Sequence, residues 1–314
     1  MRCSYLNMDC TEIDTSGMTK LTDCNDCVHR YRMWNKTIPQ KLYLYWDGSP
    51  MSWLQVLTVA SFHKYNPDWA IYVYEPVISH RELAKNTFIP DYTGKDYYPL
   101  IQSMDYVTMV KFDLSWFGIK PDSHGIQISD QWRARILYEN GGMYSDFDVL
   151  WLKPMSKFVD IECVGNPKDF EALVSFSKVT SGYHSNSNLI AEAGSPFMKS
   201  VIDLQRAVRP PYEHQAYYNS LVNKEYKSMD AVLSRFPRVL GVKYNTFFPY
   251  GLYDLKRLFN QMDLGPIYDK DVMAIHWYNG AGESKDYINK QDYFRSCSMT
   301  EILRTEGWFD EIKR

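Results

Sequence analysis

Residues 128–154 read ISDQWRARILYENGGMYSDFDVLWLKP, and this stretch holds the clearest structural pattern in the chain. Isoleucine and tryptophan recur at every fourth position from Ile128, which predicts a helix with one packed face. Asp130 and Arg133 are three residues apart, so they lie on the same side of that helix. The pattern therefore predicts a helix that carries a carboxylate and a guanidinium side by side.

A pair of glycines and a pair of aspartates follow this helix. Gly141 suits the left-handed position after a helix end, where a Cβ would clash. From Gly142 the chain is predicted to be extended. Asp146 and Asp148 would then point the same way, about 6–7 Å apart along the strand. Hard oxygen ligands in that arrangement suit a divalent cation that also holds substrate phosphates.

The stretch resembles the sugar-binding region of DXD glycosyltransferases. The resemblance is to glycosyltransferase family 32, which includes yeast Golgi mannosyltransferases, and to the related large clostridial glucosylating toxins. The residues that carry it are Asp130, Arg133, Leu137, Gly141-Gly142, Tyr144, Asp146 and Asp148, followed by Lys153-Pro154. A lone DxD pattern carries little information, whereas these features in this order are specific.

The resemblance implies an α/β fold of the GT-A nucleotide-sugar transferase type. Such a fold has a mainly parallel, Rossmann-like sheet flanked by helices, here with the DXD on a short edge element. It implies a metal-dependent, retaining hexosyltransferase that moves a sugar from a nucleotide-sugar donor to a glycan or other hydroxyl acceptor. Asp146 and Asp148 would hold Mn²⁺ or Mg²⁺, and Asp130 and Arg133 would hold the donor sugar. These four are the predicted catalytic residues.

Plainer interpretations of the same residues remain open. Asp130 and Arg133 would make an ordinary surface pair worth roughly a few tenths of a kcal/mol, and Asp146 and Asp148 would form a turn. A phosphatase-type DxD nucleophile would follow an apolar run, and an EF-hand loop would need a third ligand and a glycine that are absent here. A catalytically inactive glycan- or nucleotide-binding module of the same fold and a metal-dependent phosphohydrolase are the alternative functions.

The composition is that of an ordinary globular protein. The chain has 314 residues, of which 45% are hydrophobic and 23% charged, a size that suits one large α/β domain or two small ones. The net charge is −3 without a long basic run, so nucleic acid is not a predicted partner. No apolar run approaches the roughly eighteen residues of a membrane span, and the first ten residues lack a signal-peptide core. Many members of the resembled family are anchored in the secretory pathway, whereas this protein is expected to be cytoplasmic.

Four of the six cysteines crowd the start of the chain: Cys3, Cys10, Cys24 and Cys27. Cys24 and Cys27 have a chelating spacing, and the other two would complete a tetrahedral structural zinc site, with His29 as a substitute ligand. Four unlinked thiols in a loose tail are the alternative. Residues 1–36 are predicted to be a cysteine-rich extension, and residues 37–314 the transferase domain.

A βαβ unit opens the predicted domain. Residues 40–46 alternate and are rich in β-formers, Ser52 caps a helix that ends at Asn66-Pro67, and residues 69–74 form the next strand. Such units build parallel, nucleotide-binding sheets, whose ligands lie beyond the carboxyl ends of the strands.

The residues at that end of the first strand are predicted to bind the donor. Tyr45-Trp46-Asp47-Gly48 resembles an Ile-Trp-x-Gly element of the toxin-like transferases. The resemblance implies that Tyr45, Trp46 and Gly48 bind the donor, that Trp46 stacks on the nucleobase, and that the base is uridine rather than guanosine. A core tryptophan is the alternative.

The remaining candidates come from later in the chain, by the same resemblance. Asn188, with Asn186 as a close alternative, fits an asparagine near the donor sugar. His276 resembles the histidine that completes the metal site of many retaining DXD enzymes, and a core histidine is the alternative. Gly282 and Lys285, in a predicted glycine-bearing loop, would lie along the diphosphate.

Two further regions have weaker sequence patterns. Helical character is predicted for residues 99–117. Further helices are predicted for residues 210–237, which are expected to form an acceptor-side insertion.

Overall fold

The structure is a computed structural model of the chain. It describes residues 2–3, 8–9, 38–78, 92–120, 125–165, 169–176, 184–208, 218–291 and 293–309. Cys10, Cys24 and Cys27 lie outside the described residues, as does the side chain of Cys3. The N-terminal zinc site and the boundary at residue 36 therefore stay predictions.

The strands are short and are spread along the whole chain. They are β1 (Arg2–Cys3), β2 (Met8–Asp9), β3 (Lys41–Tyr45), β4 (Ala70–Pro76), β5 (Val107–Phe112), β6 (Gly142–Ser145), β7 (Val149–Trp151), β8 (Cys163–Val164), β9 (Ala172–Phe176), β10 (His184–Ala191), β11 (Val239–Lys243) and β12 (Ala274–His276).

Helices alternate with strands in the first half and dominate the end of the chain. They are α1 (Trp53–Tyr65), α2 (Tyr98–Ser103), α3 (Gly125–Asn140), α4 (Pro196–Ala207), α5 (Tyr218–Glu225), α6 (Met229–Arg235), α7 (Leu255–Phe259), α8 (Gly282–Lys290) and α9 (Ser298–Thr305). Short 3₁₀ helices are Leu114–Phe117, Met155–Asp160, Tyr244–Thr246, Leu252–Asp254 and Gly265–Tyr268.

A large sheet of eight strands forms the centre of the molecule, in the order β5-β4-β3-β6-β10-β9-β11-β8. Strands β5, β4, β3 and β6 are parallel neighbours, β9 is parallel to β11, and β10 and β8 run antiparallel to their neighbours. The predicted α/β architecture with a mainly parallel sheet is confirmed. A separate two-stranded sheet pairs β7 with β12.

Helices cover both faces of the large sheet because its strands alternate. Leu42 and Leu44 of β3 join a core with α1 and α2, whereas Tyr43 between them joins a core with α3, α4 and α6. This alternation is the period-2 geometry of a strand that is buried on two sides. The predicted flanking of the sheet by helices is therefore confirmed.

A third apolar core packs the small sheet against the C-terminal helices. Leu150 of β7 and Ile275 of β12 lie in it with residues of α7, α8 and α9. Residues of α1 face this core and the sheet core at once, as expected for a helix that is apolar all round. Its start is the predicted one, because Ser52 and Gln55 form a capping box.

The prediction of helical character over residues 99–117 is only partly correct, because a strand separates a short helix from a 3₁₀ helix. Helix α2 ends at Ser103, and Val107 begins β5, which pairs in parallel with β4. β-branched residues such as Val107 and Thr108 fit a strand better than a helix once a neighbouring strand is present. Among the described residues, no helix combines the length and the apolar character needed to cross a membrane.

Candidate active site

The helix and glycine corner have the predicted form. Helix α3 ends at Asn140, and the Gly141 amide donates to the Leu137 carbonyl with Gly141 at φ +62°. Gly142 follows at φ +112°, and a Cβ there would stand 2.8 Å from the carbonyl oxygen of Lys41. Only glycine lets the chain leave the helix and enter β6 this close to β3.

The prediction that the aspartates lie in an extended edge element is wrong. Residues 146–148 form a bend between β6 of the large sheet and β7 of the small sheet. Three other elements fix the backbone of this bend. The Asp146 amide donates to the Ser187 carbonyl at 2.8 Å, the Phe147 carbonyl accepts from Thr58 Oγ1 at 2.7 Å, and the Asp148 carbonyl accepts from the Trp277 amide at 2.8 Å.

The bend nevertheless brings both carboxylates to the imidazole of His276. Nε2 of His276 lies 3.1 Å from Oδ1 of Asp148 and 3.8 Å from Oδ2 of Asp146. One ligand atom from each of the three residues falls within 4.8 Å of the others. The three predicted metal ligands thus meet at one point, although the geometry that was predicted to align them does not occur.

His276 is held by backbone pairing and by aromatic rings. It lies opposite Val149 in the β7–β12 pair, and its ring packs against Phe248 and Tyr278. Burial alone would lower the pKa of His276, but the carboxylates of Asp148 and Asp146 raise it to about 9. The buried Nδ1 atom has no hydrogen-bond partner among the described residues.

Asp148 is fixed by the loop that follows β12. Its Oδ2 accepts a hydrogen bond from the Asn279 amide at 2.8 Å. Burial would raise the pKa of Asp148, yet His276 and this amide hold it below its ordinary value. The neighbouring Tyr278 has φ +51°, a conformation uncommon for a residue other than glycine. The loop therefore has a shape that delivers an amide to the carboxylate.

Asp130 and Arg133 are buried, so they are not the ordinary surface pair that was the alternative. Their exposed fractions are 5% and 4%. Nη2 of Arg133 lies 3.4 Å from Oδ1 of Asp130 and 3.1 Å from Oδ1 of Asp146, and the guanidinium stacks 4.2 Å above the Tyr144 ring. Burial would lower the pKa of Arg133, but the charges of Asp146 and Asp130 raise it, so the guanidinium stays charged.

Asn186 contacts both members of the buried Asp130–Arg133 pair. Nδ2 of Asn186 donates to Oδ1 of Asp130 at 2.7 Å, and Nη1 of Arg133 donates to the Asn186 carbonyl at 2.9 Å. Asn188, the preferred candidate from sequence, lies opposite Ser145 in the sheet and contacts neither residue in these bonds. The buried Oδ1 of Asn188 has no partner among the described residues.

Two contacts around Arg133 were not predicted from the sequence. Ser129 Oγ accepts from Nη2 of Arg133 at 2.8 Å, and the Tyr144 hydroxyl donates to Oδ1 of Asp146 at 2.5 Å. Ser129 stands one turn before Arg133 on the same helix face, which is the only signal that the sequence offered for it.

Of the three predicted donor-binding residues at the end of β3, Trp46 lies beside the aspartate bend. Trp46 packs edge-on against Phe147 at 5.2 Å, and its Nε1 donates to the Ser49 carbonyl at 2.8 Å. Gly48 has φ +84°, and a Cβ there would meet Oε1 of Glu75. The ring of Tyr45 points to the other face of the sheet, against Trp132 and Phe112, and burial raises its pKa.

The family comparison matches this part of the chain. Residues 25–165 match the family described as "Glycosyltransferase sugar-binding region containing DXD motif". The match covers just under half of the chain, it includes α3 and both aspartates, and it confirms the resemblance recognised in the sequence. No curated protein matches the chain.

Solved structures of transferases resemble the chain at low identity. The PaToxG glycosyltransferase is 17% identical and matches 67% of this chain and 79% of its own, with a TM-score of 0.41. The galactosyltransferase LgtC, in complex with donor and acceptor sugar analogs, is 12% identical over 76% and 87%, with a TM-score of 0.40. The catalytic domain of alpha-toxin from Clostridium novyi is 12% identical over 67% and 65%, with a TM-score of 0.35.

Gly282 and Lys285, the predicted diphosphate-binding residues, lie at the start of helix α8. The predicted loop over residues 277–285 is shorter than expected, because Gly282 begins α8 and Lys285 lies in its first turn. A Cβ at Gly282 would meet no atom within 4 Å, so packing does not require glycine there. Their contact with a diphosphate stays a prediction.

The donor atoms around the DXD aspartates fit a divalent cation. Two carboxylates and an imidazole are hard or borderline ligands that such cations accept. Each carboxylate is oriented through the oxygen that is not the one nearest His276. Arg133 and Tyr144 contact Oδ1 of Asp146, and the Asn279 amide contacts Oδ2 of Asp148. Such outer partners are typical of built metal sites.

Proposed function

We propose that this chain is a metal-dependent glycosyltransferase of the GT-A type. It transfers a sugar from a nucleotide-sugar donor, preferably a UDP-sugar, to a hydroxyl of a glycan or another acceptor, with retention at the anomeric carbon. The metal ion is Mn²⁺ or Mg²⁺. The family match supports the transferase class, and the retaining outcome follows from the sequence resemblance.

One observation carries the proposal. Asp146, Asp148 and His276 converge within 4.8 Å, and Arg133 joins Asp146 to the buried Asp130. A cation held by few protein ligands keeps positions for substrate oxygens, which a transferase requires.

The buried pair has two roles in this proposal. Arg133 binds Oδ1 of Asp146, which leaves Oδ2 on the side of His276. Asp130, Arg133 and Asn186 also form a preorganised group of acceptors and donors, the chemistry that recognises sugar hydroxyls. Asp130 and Arg133 hold the donor sugar in this scheme, and Asn186 takes the role first assigned to Asn188.

A bound cation would neutralise the charge that develops on the leaving nucleoside diphosphate. The chain supplies the rest of the donor site. Trp46 lies against Phe147 within the DXD bend, so a nucleobase on the exposed part of the indole would place its diphosphate near the aspartates. Gly282 and Lys285 come after His276 in the sequence, and in this proposal they lie along the diphosphate.

The test is donor turnover by the full chain. We expect the protein with Mn²⁺ to release a nucleoside diphosphate from one member of a panel of nucleotide sugars, and excess EDTA to abolish release. Asp148→Asn should abolish it too. Asp254→Asn changes an exposed aspartate in the same way, as a control, and should leave turnover unchanged.

Three results would contradict the proposal. Turnover that persists in excess EDTA would show that the reaction does not require a cation. Cleavage of a generic phosphomonoester without sugar transfer points to a phosphohydrolase. Donor binding without any turnover points to an inactive binding module. The anomeric configuration of the product, read by NMR, tests retention separately.

A further inference from the structure

A small cavity lies on the far side of α3 from the DXD site. Arg135 is two residues after Arg133, and residues two apart on a helix lie on nearly opposite faces. The cavity has a volume of about 190 Å³ and is bordered by α3, α4 and the 3₁₀ helix Leu114–Phe117. Three cationic side chains line it: Arg135, Lys199 and Arg206.

Arg135 is buried here without an ion-pair partner among the described residues. Its exposed fraction is 4%, and it makes no ion pair with any described residue. Nη1 donates to the Gln131 carbonyl at 2.8 Å and reaches Gln205 Oε1 at 3.4 Å, while the buried Nε has no partner among the described residues. Burial and the charge of Arg206 lower the pKa of Arg135 to about 10, and the charge of Glu139 opposes this shift only in part. A buried charge without a partner is costly.

The carboxylates nearby offset only part of this positive charge. Asp203 is taken by Lys199, with both oxygens 2.6 Å from its Nζ. Glu139 also lines the cavity but forms no ion pair among the described residues, and it is largely exposed to solvent. Arg206 is exposed and likewise has no ion-pair partner in the described part of the chain. Two guanidinium groups therefore line the same cavity, and neither forms an ion pair among the described residues.

We propose that this cavity is an anion site that binds a phosphate group. Guanidinium groups bind phosphate through paired, charge-assisted hydrogen bonds. At about 30 Å³ per water molecule, the cavity has room for about six waters, enough for a phosphate. It is smaller than the roughly 300–1,000 Å³ of sites for drug-sized ligands. The hydrogen bonds from Arg135 to Gln131 and Gln205 hold the buried guanidinium in place before the anion arrives.

The phosphate is either free or part of an organic ester. Trp116 lines the same cavity and its side chain is 66% exposed. An exposed indole at the border of an anion site offers an apolar face to the organic part of a phosphorylated molecule. The two sources share the same recognition chemistry and differ only in whether Trp116 contributes.

Calorimetry with inorganic phosphate tests the site. The full chain is titrated without divalent metal, in chloride buffer at constant ionic strength. We expect saturable binding by the wild type and by Asp148→Asn, which alters only the DXD site. Arg206→Gln should weaken binding by about tenfold or more, the scale of one lost charge-assisted hydrogen bond. Arg304→Gln removes an exposed arginine elsewhere and should leave binding unchanged.

A parallel titration with glucose 6-phosphate separates the two sources. If glucose 6-phosphate binds more tightly than phosphate and Trp116→Ala removes the difference, the site is assigned to a phosphorylated organic molecule. If the two ligands bind equally, the site is assigned to free phosphate. The proposal is overturned if the wild type shows no saturable phosphate binding. Equal binding by Arg206→Gln and Arg304→Gln would overturn it too, as would loss of binding in Asp148→Asn, which would move the phosphate to the DXD site. None of these results depends on transferase activity.

Discussion

His276 carries a proton that a metal ion must displace. Because the pKa of His276 is raised to about 9 in the protein without metal, the imidazole is protonated at neutral pH. A cation binds the neutral form only. The apparent affinity for Mn²⁺ should therefore rise with pH, by up to about tenfold per unit below pH 9.

Calorimetry at pH 6.5 and pH 7.5 measures this dependence. His276→Gln has no titrating group at the same position, so it should bind Mn²⁺ more weakly and with a much flatter pH dependence. Equal affinity of the wild type at the two pH values would contradict the assignment of His276 as a ligand.

Arg133 should contribute far more to stability than a surface arginine. It pairs with two carboxylates and stacks on Tyr144 in a buried position, and removal of one partner from a buried ion pair costs about 3–5 kcal/mol. Arg133→Met should lower the free energy of unfolding by an amount of this order. Arg304→Met removes an arginine from the exposed pair with Glu301 and should cost less than about 1 kcal/mol. Both are measured by urea unfolding, and equal losses would refute the buried network.

The elements around the site differ in how well the sequence predicted them. The periodicity of α3 and the glycines after it are local signals, and the structure agrees with both. The bend at the aspartates is set by partners distant in sequence, such as Thr58, Ser187 and Trp277. Local β-propensity carries no information about these partners, so the extended prediction was wrong while the convergence of the ligands was right.

The role of Asn188 near the donor sugar stays a prediction, although the structure places Asn186, not Asn188, against Asp130. The two residues are two apart in β10, so simple alternation places both on one face. The pairing of β10 with β9 shifts register between Ser185 and Ile190. Such an irregularity depends on the packing of neighbouring strands, which a single sequence does not reveal. Only the structure identifies Asn186 as the residue that contacts Asp130.

The glycine corner has a strict steric requirement that can be tested. In Gly142→Ala the new Cβ would meet the Lys41 carbonyl oxygen at 2.8 Å and the Tyr43 ring at 3.0 Å. Gly307 also has a positive φ, at +78°, but a Cβ added there would meet no atom within 4 Å. Gly307→Ala should cost about 1–2 kcal/mol, the penalty of a left-handed residue.

Gly142→Ala should exceed that cost, because the Cβ must also displace backbone atoms. It should also weaken Mn²⁺ binding, since Gly142 begins the strand that leads to Asp146. Urea unfolding and calorimetry report the two effects. Equal stabilities of the two alanine variants would show that the corner adjusts more easily than its geometry indicates.

In the whole molecule, the cation should act as a cross-link. The aspartates follow the central strand β6, whereas His276 belongs to the small sheet near the C-terminal helices. Ligand binding to the folded state alone adds about 2.7 kcal/mol of stability at a hundred times the dissociation constant. Mn²⁺ should therefore raise the melting temperature of the wild type and leave Asp148→Asn unchanged. An equal shift in both proteins would indicate a non-specific effect of the metal.

The pairing of β7 with β12 also has a consequence for recombinant fragments. Asn279 lies 131 residues after Asp148, the carboxylate that its amide binds. Strand β12 pairs with one edge of β7, whose sequence is Val-Leu-Trp. A fragment limited to residues 25–165 would keep both aspartates but lose the histidine and expose an apolar strand edge. Such edges recruit other chains. The fragment should aggregate during expression, so the segment recognised by sequence comparison is shorter than the segment that folds.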